Sequence, residues 1–264
     1  MPREFARQPR SLAELYKWKA TEFRQFVLYT GPIVLKPVVS NKLYYHFLTL
    51  TVAMSIYLDL IKETRSPYCN YAKELMLYFV KTSTDVYGNP FVTYNFHNLI
   101  HLGNGVENFQ TSLNDISAFR FENYFHKMKK KVRNAQNPIA QLIKRIHEIE
   151  KSGTSSTTKQ RSFFVSTKKK AGCYLLANYS YAFGKERYPG RKYVCDVVKK
   201  QYLESLFLQP CDSKLINIVL AKDMRRHKTQ ITLDHKDFKR KVICLPYQGG
   251  HVLMPMLHGI EKRK

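Results

Sequence analysis

Residues 137–166 read NPIAQLIKRIHEIEKSGTSSTTKQRSFFVS, and the character of the chain changes inside this stretch. Asn137-Pro138 opens a run in which Leu142, Ile143, Ile146 and Ile149 recur at helical spacing. Ser152 to Gln160 is small, polar and almost free of apolar residues, which is the composition of a linker. From Phe163 onward the apolar residues come in short β-prone runs separated by turn residues. The expected fold class is therefore α+β. It places an N-terminal bundle of about six helices in residues 1–151, a linker in 152–162, and a small β-rich unit in 163–264.

The β-prone runs are FFVS from Phe163, YVCDVV from Tyr193, LINIVL from Leu215, TQITL from Thr229, KVICLP from Lys241 and HVLMPML from His251. Ile216 to Leu220 is continuous rather than alternating, which points to a central strand, with Asp212-Ser213 starting a turn ahead of it.

On the N-terminal side, Ser11 and Glu14 form a capping-box pattern. The Leu12, Leu15, Tyr16, Phe23, Phe26 and Val27 run that follows is expected to end at Gly31-Pro32. Trp18, the only tryptophan, reads as a core or interface residue. Ser40 caps a second helix that is apolar nearly all round from Leu43 to Ile61, the signature of burial within a bundle. Its length raises the question of a membrane span, but His46, Asp59 and several hydroxyls fit a buried helix better. Ser66-Pro67 opens a third helix carrying Tyr71, Leu75, Tyr78 and Phe79, which closes at Gly88-Asn89-Pro90. There is no internal repeat, phosphate-cradling glycine loop or nucleophile elbow.

Lys and Arg number 44 and Asp and Glu 20, leaving a formal charge of +24. Such an excess attracts polyanions at long range and makes their binding steeply salt-dependent. Between Lys127 and Lys170 there are thirteen cations and only two acids, Glu148 and Glu150. The cations are Lys127, Lys129, Lys130, Lys131, Arg133, Lys144, Arg145, Lys151, Lys159, Arg161, Lys168, Lys169 and Lys170. A solvated basic face or a sorting signal in the KKK runs is the less favoured alternative, and charge of this kind gives affinity rather than sequence specificity. Cys69, Cys173, Cys195, Cys211 and Cys244 are odd in number and form no CxxC pair, which fits free thiols in a reducing compartment. MPREFARQPR is basic with no apolar run behind it, unlike a secretory signal.

The stretch from Tyr94 to Arg133 joins an imidazole pair, a carboxylate and a basic run. His97 and His101 share one helical face, the spacing of a zinc half-site. Asn98 stands where a metalloprotease motif carries glutamate and no third ligand is evident, so core packing or interhelical hydrogen bonding is the better reading. Phe119, Phe121 and Phe125 frame Glu122 at the head of a second helix that runs into the lysines. Glu122 is either a metal ligand beside a phosphate track or an ordinary first-turn glutamate favoured by the helix dipole.

HNLIHL, a loop and FRFENYFHKMKKKVRNAQNP, in that order, resemble the segment late in CACTA-type (En/Spm-like) transposases. There a His-containing helix is followed by an aromatic-Glu-aromatic motif, a Lys-rich helix and an Arg-Asn-Pro turn. PREFARQPRSLAELYKWKATEFRQFVLYTGPIVLK is similar to the region that precedes it in those proteins, and CDSKLINIVL and HVLMPMLHG to their carboxyl-terminal extension. The resemblance implies a ribonuclease-H-like core with two upstream aspartates and a final acid holding divalent metal, with Glu122 matching the final acid. The only aspartates before His97 are Asp59 and Asp85, late in helical runs, and Asp115 lies in a loop too close to Glu122 to replace a strand residue. Two-metal chemistry needs several oxygen ligands converging on ions about 3.5–4 Å apart.

The expectation is a transposase-derived chain without a complete active site, needing no cofactor unless an upstream core supplies a magnesium-type site. It would bind DNA or other nucleic acid non-specifically through its basic segment, with no membrane partner and an intracellular, nuclear location. The alternative is a protein-interaction or self-association module, to which 18 tyrosines and 16 phenylalanines are suited.

Overall fold

The computed structural model of the chain describes residues 5, 9–152, 165–168, 172–224 and 226–257. Its N-terminal half is helical and its C-terminal half is an antiparallel sheet, as the sequence reads. Most of the expected linker, Phe163 and Phe164 of the first β-prone run, and Lys169 and Lys170 lie outside the described residues.

The helical half is more broken than its periodicity suggests. Residues 12–17 form a 3-10 turn in which Glu14 leaves helical geometry, so the capping box does not form. Ser11 accepts instead from the Ala13 N–H. Leu12, Leu15 and Tyr16 are exposed rather than core. The chain extends at Trp18, whose indole packs on Phe23 and Phe26, and then enters α1 (Ala20–Gln25). Gly31-Pro32 does not end the helical path, because a wide π turn at 26–30 leads directly into α2 (Gly31–Val34) with Pro32 in its first turn. Glycine is needed there for a close approach. A Cβ would lie 2.5 Å from the Phe47 ring and 2.7 Å from the Phe26 carbonyl.

The two long helices start at Ser40 and end at Gly88 as read from the sequence, but α3 stops at Leu58, short of Ile61, and α5 starts at Cys69, after Ser66-Pro67, with no side-chain cap. Ser40 accepts from the Leu43 N–H at 3.4 Å and starts α3 (Asn41–Leu58), which is buried on nearly every side. Among the described residues, no helix is long and apolar enough to cross a membrane. Most buried polar groups of α3 are satisfied internally, as burial requires, the hydroxyl of the fully buried Tyr57 being the exception. His46 Nε2 lies 3.1 Å from the Phe79 carbonyl and 3.0 Å from Thr82 Oγ1, and Nδ1 lies 3.1 Å from Tyr87 Oη. After α4 (Lys62–Arg65) and a 3-10 turn at 66–68 comes α5 (Cys69–Tyr87), ended by Gly88 at φ 86°. Three short helices follow, α6 (Tyr94–His97), α7 (Leu102–Asn108) and α8 (Leu113–Ile116). An outlying pair closes this half, α9 (Phe119–Lys129) and α10 (Pro138–Lys151).

The sheet comprises β1 (Cys173–Leu176), β2 (Tyr181–Tyr188), β3 (Lys192–Val198), β4 (Glu204–Ser205), β5 (Val219–Ala221), β6 (Thr229–Asp234), β7 (Phe238–Tyr247) and β8 (Gly250–Pro255). Their order is β4-β5-β8-β7-β1-β2-β3-β6, and every pairing is antiparallel. Alternate residues serve opposite faces. Cys173 and Leu175 of β1 join a cluster with Tyr181, Val198, Val219, Val242 and Leu253, while Tyr174 and Leu176 join Tyr193, Cys195 and Phe238. The Tyr181 hydroxyl reaches the Asn217 carbonyl at 2.8 Å, which ties β2 to the approach to β5, so the sheet curls over its own apolar face.

The strand expected from Leu215 is shorter and displaced. Asp212 caps a 3-10 turn at 213–216, Asn217 adopts a left-handed conformation at φ 58°, and pairing begins only at Val219. β5 is also one strand from the sheet edge rather than central.

The two halves meet in one hydrophobic core. Leu220, Ile243, Val252 and Met254 project from the sheet onto Leu48, Val52, Ile56, Met76 and Phe79 of α3 and α5. Polar links cross the same boundary. The Leu257 N–H donates to Tyr29 Oη at 3.0 Å, Tyr71 Oη donates to the Pro210 carbonyl at 3.0 Å, and Lys36 Nζ donates to the Leu206 carbonyl at 2.9 Å. All five cysteines are free thiols.

Candidate nucleic-acid interface

Helices α9 and α10 form an arm in which no described side chain is buried. The turn between them is held by Gln141. Its Oε1 accepts the Arg133 N–H at 3.0 Å, and its Nε2 donates to the Gln136 carbonyl at 2.5 Å and to the Asn134 side chain. Asn137 takes a left-handed conformation, and Pro138, whose fixed φ suits a first helical residue, starts α10. The RNAQNP stretch is thus a built turn between the two helices.

Most of the predicted cations lie along these two helices and the turn between them. Lys127 and Lys129 sit in the last turn of α9, where the helix dipole favours positive charge, and Lys130 caps it. Lys127, Lys129, Lys130 and Arg133 are exposed, and Lys131 is partly covered. On α10, Lys144 is exposed and Arg145 makes a surface ion pair with Glu148 at 2.9 Å. Lys168 is also exposed but belongs to the approach to β1, its N–H donating to Ser166 Oγ.

Glu122 is exposed in the first turn of α9. Phe121 and Phe125 face solvent rather than forming a shielding frame, at 62% and 59% exposure. The helix carrying His97 and His101 is broken by a 3-10 turn at 98–101, yet the two rings remain neighbours with centroids 5.9 Å apart. Both imidazoles are on the surface, so the reading that placed them in the core is corrected. Among the described residues, no three His, Cys, Asp or Glu side chains are grouped to hold a metal ion.

The upstream aspartates are placed differently from each other. Asp85 lies exposed on α5. Asp59 follows α3, where its carboxylate accepts from the Ile61 N–H and Thr64 Oγ1, both at 2.9 Å, and pairs with Arg240 of β7.

A second basic surface escaped the sequence reading. It lies on the sheet half, where Tyr179, Lys200, Tyr202, His227, Lys228 and Lys239 come together from separate segments. The only traces in the sequence are the short runs KK at 199–200 and RRHK at 225–228.

Residues 147–256 match a sequence family described as a domain of unknown function (DUF8592). The match begins inside α10 and covers β1 to β8. No curated protein and no solved structure matches the chain.

Proposed function

We propose that this chain is a transposase-derived protein that binds nucleic acid without sequence preference through the basic side of the α9–α10 arm, in the nucleus, and that it has no catalytic activity of its own. The observation that carries this reading is the α9–α10 arm, residues 119–151, which has nine Lys or Arg against three Glu and leaves Lys127, Lys129, Lys130 and Lys144 open to solvent. The test is duplex DNA binding followed by fluorescence anisotropy across a salt series. Affinity should fall steeply with salt, and changing Lys127, Lys129, Lys130 and Lys131 to Gln should abolish most binding and flatten the log–log slope by about 0.9 for each phosphate that is no longer neutralised. Salt-insensitive binding, or none at low salt, rejects the proposal.

A second reading is favoured by the apolar side of the same arm. Phe121, Tyr124, Phe125, Ile139, Ile143 and Ile149 are all exposed, which suits docking on a protein partner such as the catalytic half of a transposase.

A further inference from the structure

On the sheet half, rings and cations alternate along one surface. Lys239 Nζ lies 4.1 Å from the centroid of the Tyr179 ring and 2.8 Å from its hydroxyl. Lys200 Nζ approaches the same ring at 5.6 Å and donates to the Lys214 carbonyl at 3.3 Å. Two residues further, Tyr202 stacks on His227 with centroids 4.4 Å apart and planes 9° from parallel. Lys228, next to His227, lies 5.1 Å over the Phe183 ring. The path Lys239, Tyr179, Lys200, Tyr202, His227, Lys228, Phe183 thus joins β7, the β1–β2 turn, the segment after β3, the approach to β6 and β2.

Two features make this more than a solvated basic patch. The first is where the acids go. Glu204 pairs with Lys222, and Asp212 accepts from Ser205 Oγ and the Lys214 N–H. Asp196 is shared, lying 2.8 Å from Lys185 and 3.7 Å from Lys228. Lys200 and Lys239 are directed instead at a ring, a hydroxyl and a carbonyl, and among the described residues neither makes an ion pair, although Asp212 lies within electrostatic reach of Lys200. The second feature is the Tyr202–His227 stack. Nearly parallel rings form a preorganised π platform, and Tyr202 keeps 44% of its surface accessible although one face is covered by the imidazole.

A flat ring held beside spaced ammonium groups matches an unpaired base and its flanking phosphates. A duplex keeps its base faces stacked inside, so it would meet the lysines but leave the platform idle. An acidic peptide would likewise use only the charge. We propose that this surface is a single-stranded nucleic-acid site, in which Tyr202 stacks an unpaired base and Lys200 and Lys239 hold neighbouring phosphates. The proposal rests on the nucleic-acid reading above and extends it with a second contact region of different substrate form.

The test compares a labelled oligothymidine with a labelled duplex of the same length by anisotropy at low salt. Tyr202→Ala and Tyr202→Leu should each weaken oligothymidine binding about tenfold, the loss expected for one stacked base. Duplex affinity should change less than about twofold, since the arm is intact. Tyr202→Phe, which keeps the ring, should bind as the parent does. Thermal unfolding of Tyr202→Leu at the parent temperature shows that the effect is not misfolding. Unchanged oligothymidine affinity in both ring-removing variants, or an equal fall on both oligonucleotides, overturns the single-strand site while leaving the arm proposal standing. Equal competition by polyglutamate and by unlabelled oligothymidine overturns it as well, because stacking would then contribute nothing. Failure of the parent protein to bind either oligonucleotide removes both proposals together.

Discussion

Replacing Asp59 with Ala should destabilise the fold severely, although the residue lies outside the apolar core. Its carboxylate is 16% exposed and the Arg240 side chain that meets it is 10% exposed, so the pair is largely withdrawn from water. The same carboxylate accepts from the Ile61 N–H and Thr64 Oγ1, and the backbone carbonyl of Asp59 takes a 2.5 Å hydrogen bond from Arg65. Arg240 belongs to β7, so the pair is one of the few polar ties between the end of α3 and the sheet. Removing one member of such a pair strands the other as a desolvated charge, at a cost of roughly 3–5 kcal/mol. For a chain of this size that corresponds to a fall in melting temperature on the order of 10 °C. Urea unfolding monitored by circular dichroism gives the free energy directly. Adding Arg240→Met to Asp59→Ala should recover a substantial part of the loss, because a methionine needs no counter-charge. A loss below about 1 kcal/mol, or no recovery in the double variant, would refute the view of Asp59 as a structural anchor and return it to the pool of candidate metal ligands.

His46 should make stability fall on the acid side of neutrality. Burial, reinforced by Lys42, holds its pKa below the usual 6.5 against an opposing hydrogen bond to the Phe79 carbonyl. The unfolded chain therefore binds the proton first. Stability is complete above about pH 6.5 and is lost as pH falls through the lower folded value. Denaturation midpoints between pH 7.5 and 5 should decline, and His46→Gln should flatten part of that decline. His251, lowered by burial and by Lys228, accounts for some of what remains. An equally steep decline in the variant would exclude His46 as a source. The five thiols should resist alkylation in the native protein. Burial pushes the Cys195, Cys211 and Cys244 thiols up to about 11 and raises Cys69 and Cys173 as well, leaving little thiolate at pH 7.5. Mass spectrometry after iodoacetamide treatment should show little labelling before denaturation and five labels after it, and rapid labelling of the folded chain would contradict this.

The parts of the fold visible in the sequence are those fixed by local chemistry. Ser40 and Gly88 bracket α3 and α5 with caps that act within a few residues, and the all-round apolarity of α3 follows from its burial against both α5 and the sheet. β3, β6, β7 and β8 fall on the runs read as strands for the same reason. β1 and β2 did not stand out. CYLL is only four residues long and becomes a strand through non-local pairing with β7, while YAFGKERY turns polar after Gly184 and is held as a strand by its hairpin with β3. Gly31 shows the opposite failure. Glycine before proline reads as a stop, but here the missing Cβ serves the contact with Phe47, a residue sixteen positions away. In the candidate sites, the Lys127–Arg133 run was legible because its cations are contiguous. The Tyr202 platform was not, since its members come from five segments that only the curled sheet brings together.

The two readings of the arm do not exclude each other, for a geometric reason. On α10, Ile139, Leu142, Ile146 and Ile149 follow a three-four-three spacing and form a single stripe, with Ile143 at its margin. At about 100° per residue, Lys144 and Lys151 lie well over 90° around the helix from the centre of that stripe. A partner seated on the isoleucines would therefore leave those lysines facing outward, and nucleic acid held by the lysines would leave the isoleucines free. Docking would remove exposed apolar surface while leaving the charge of Lys144 and Lys151 in place, so the two kinds of partner could be held at the same time.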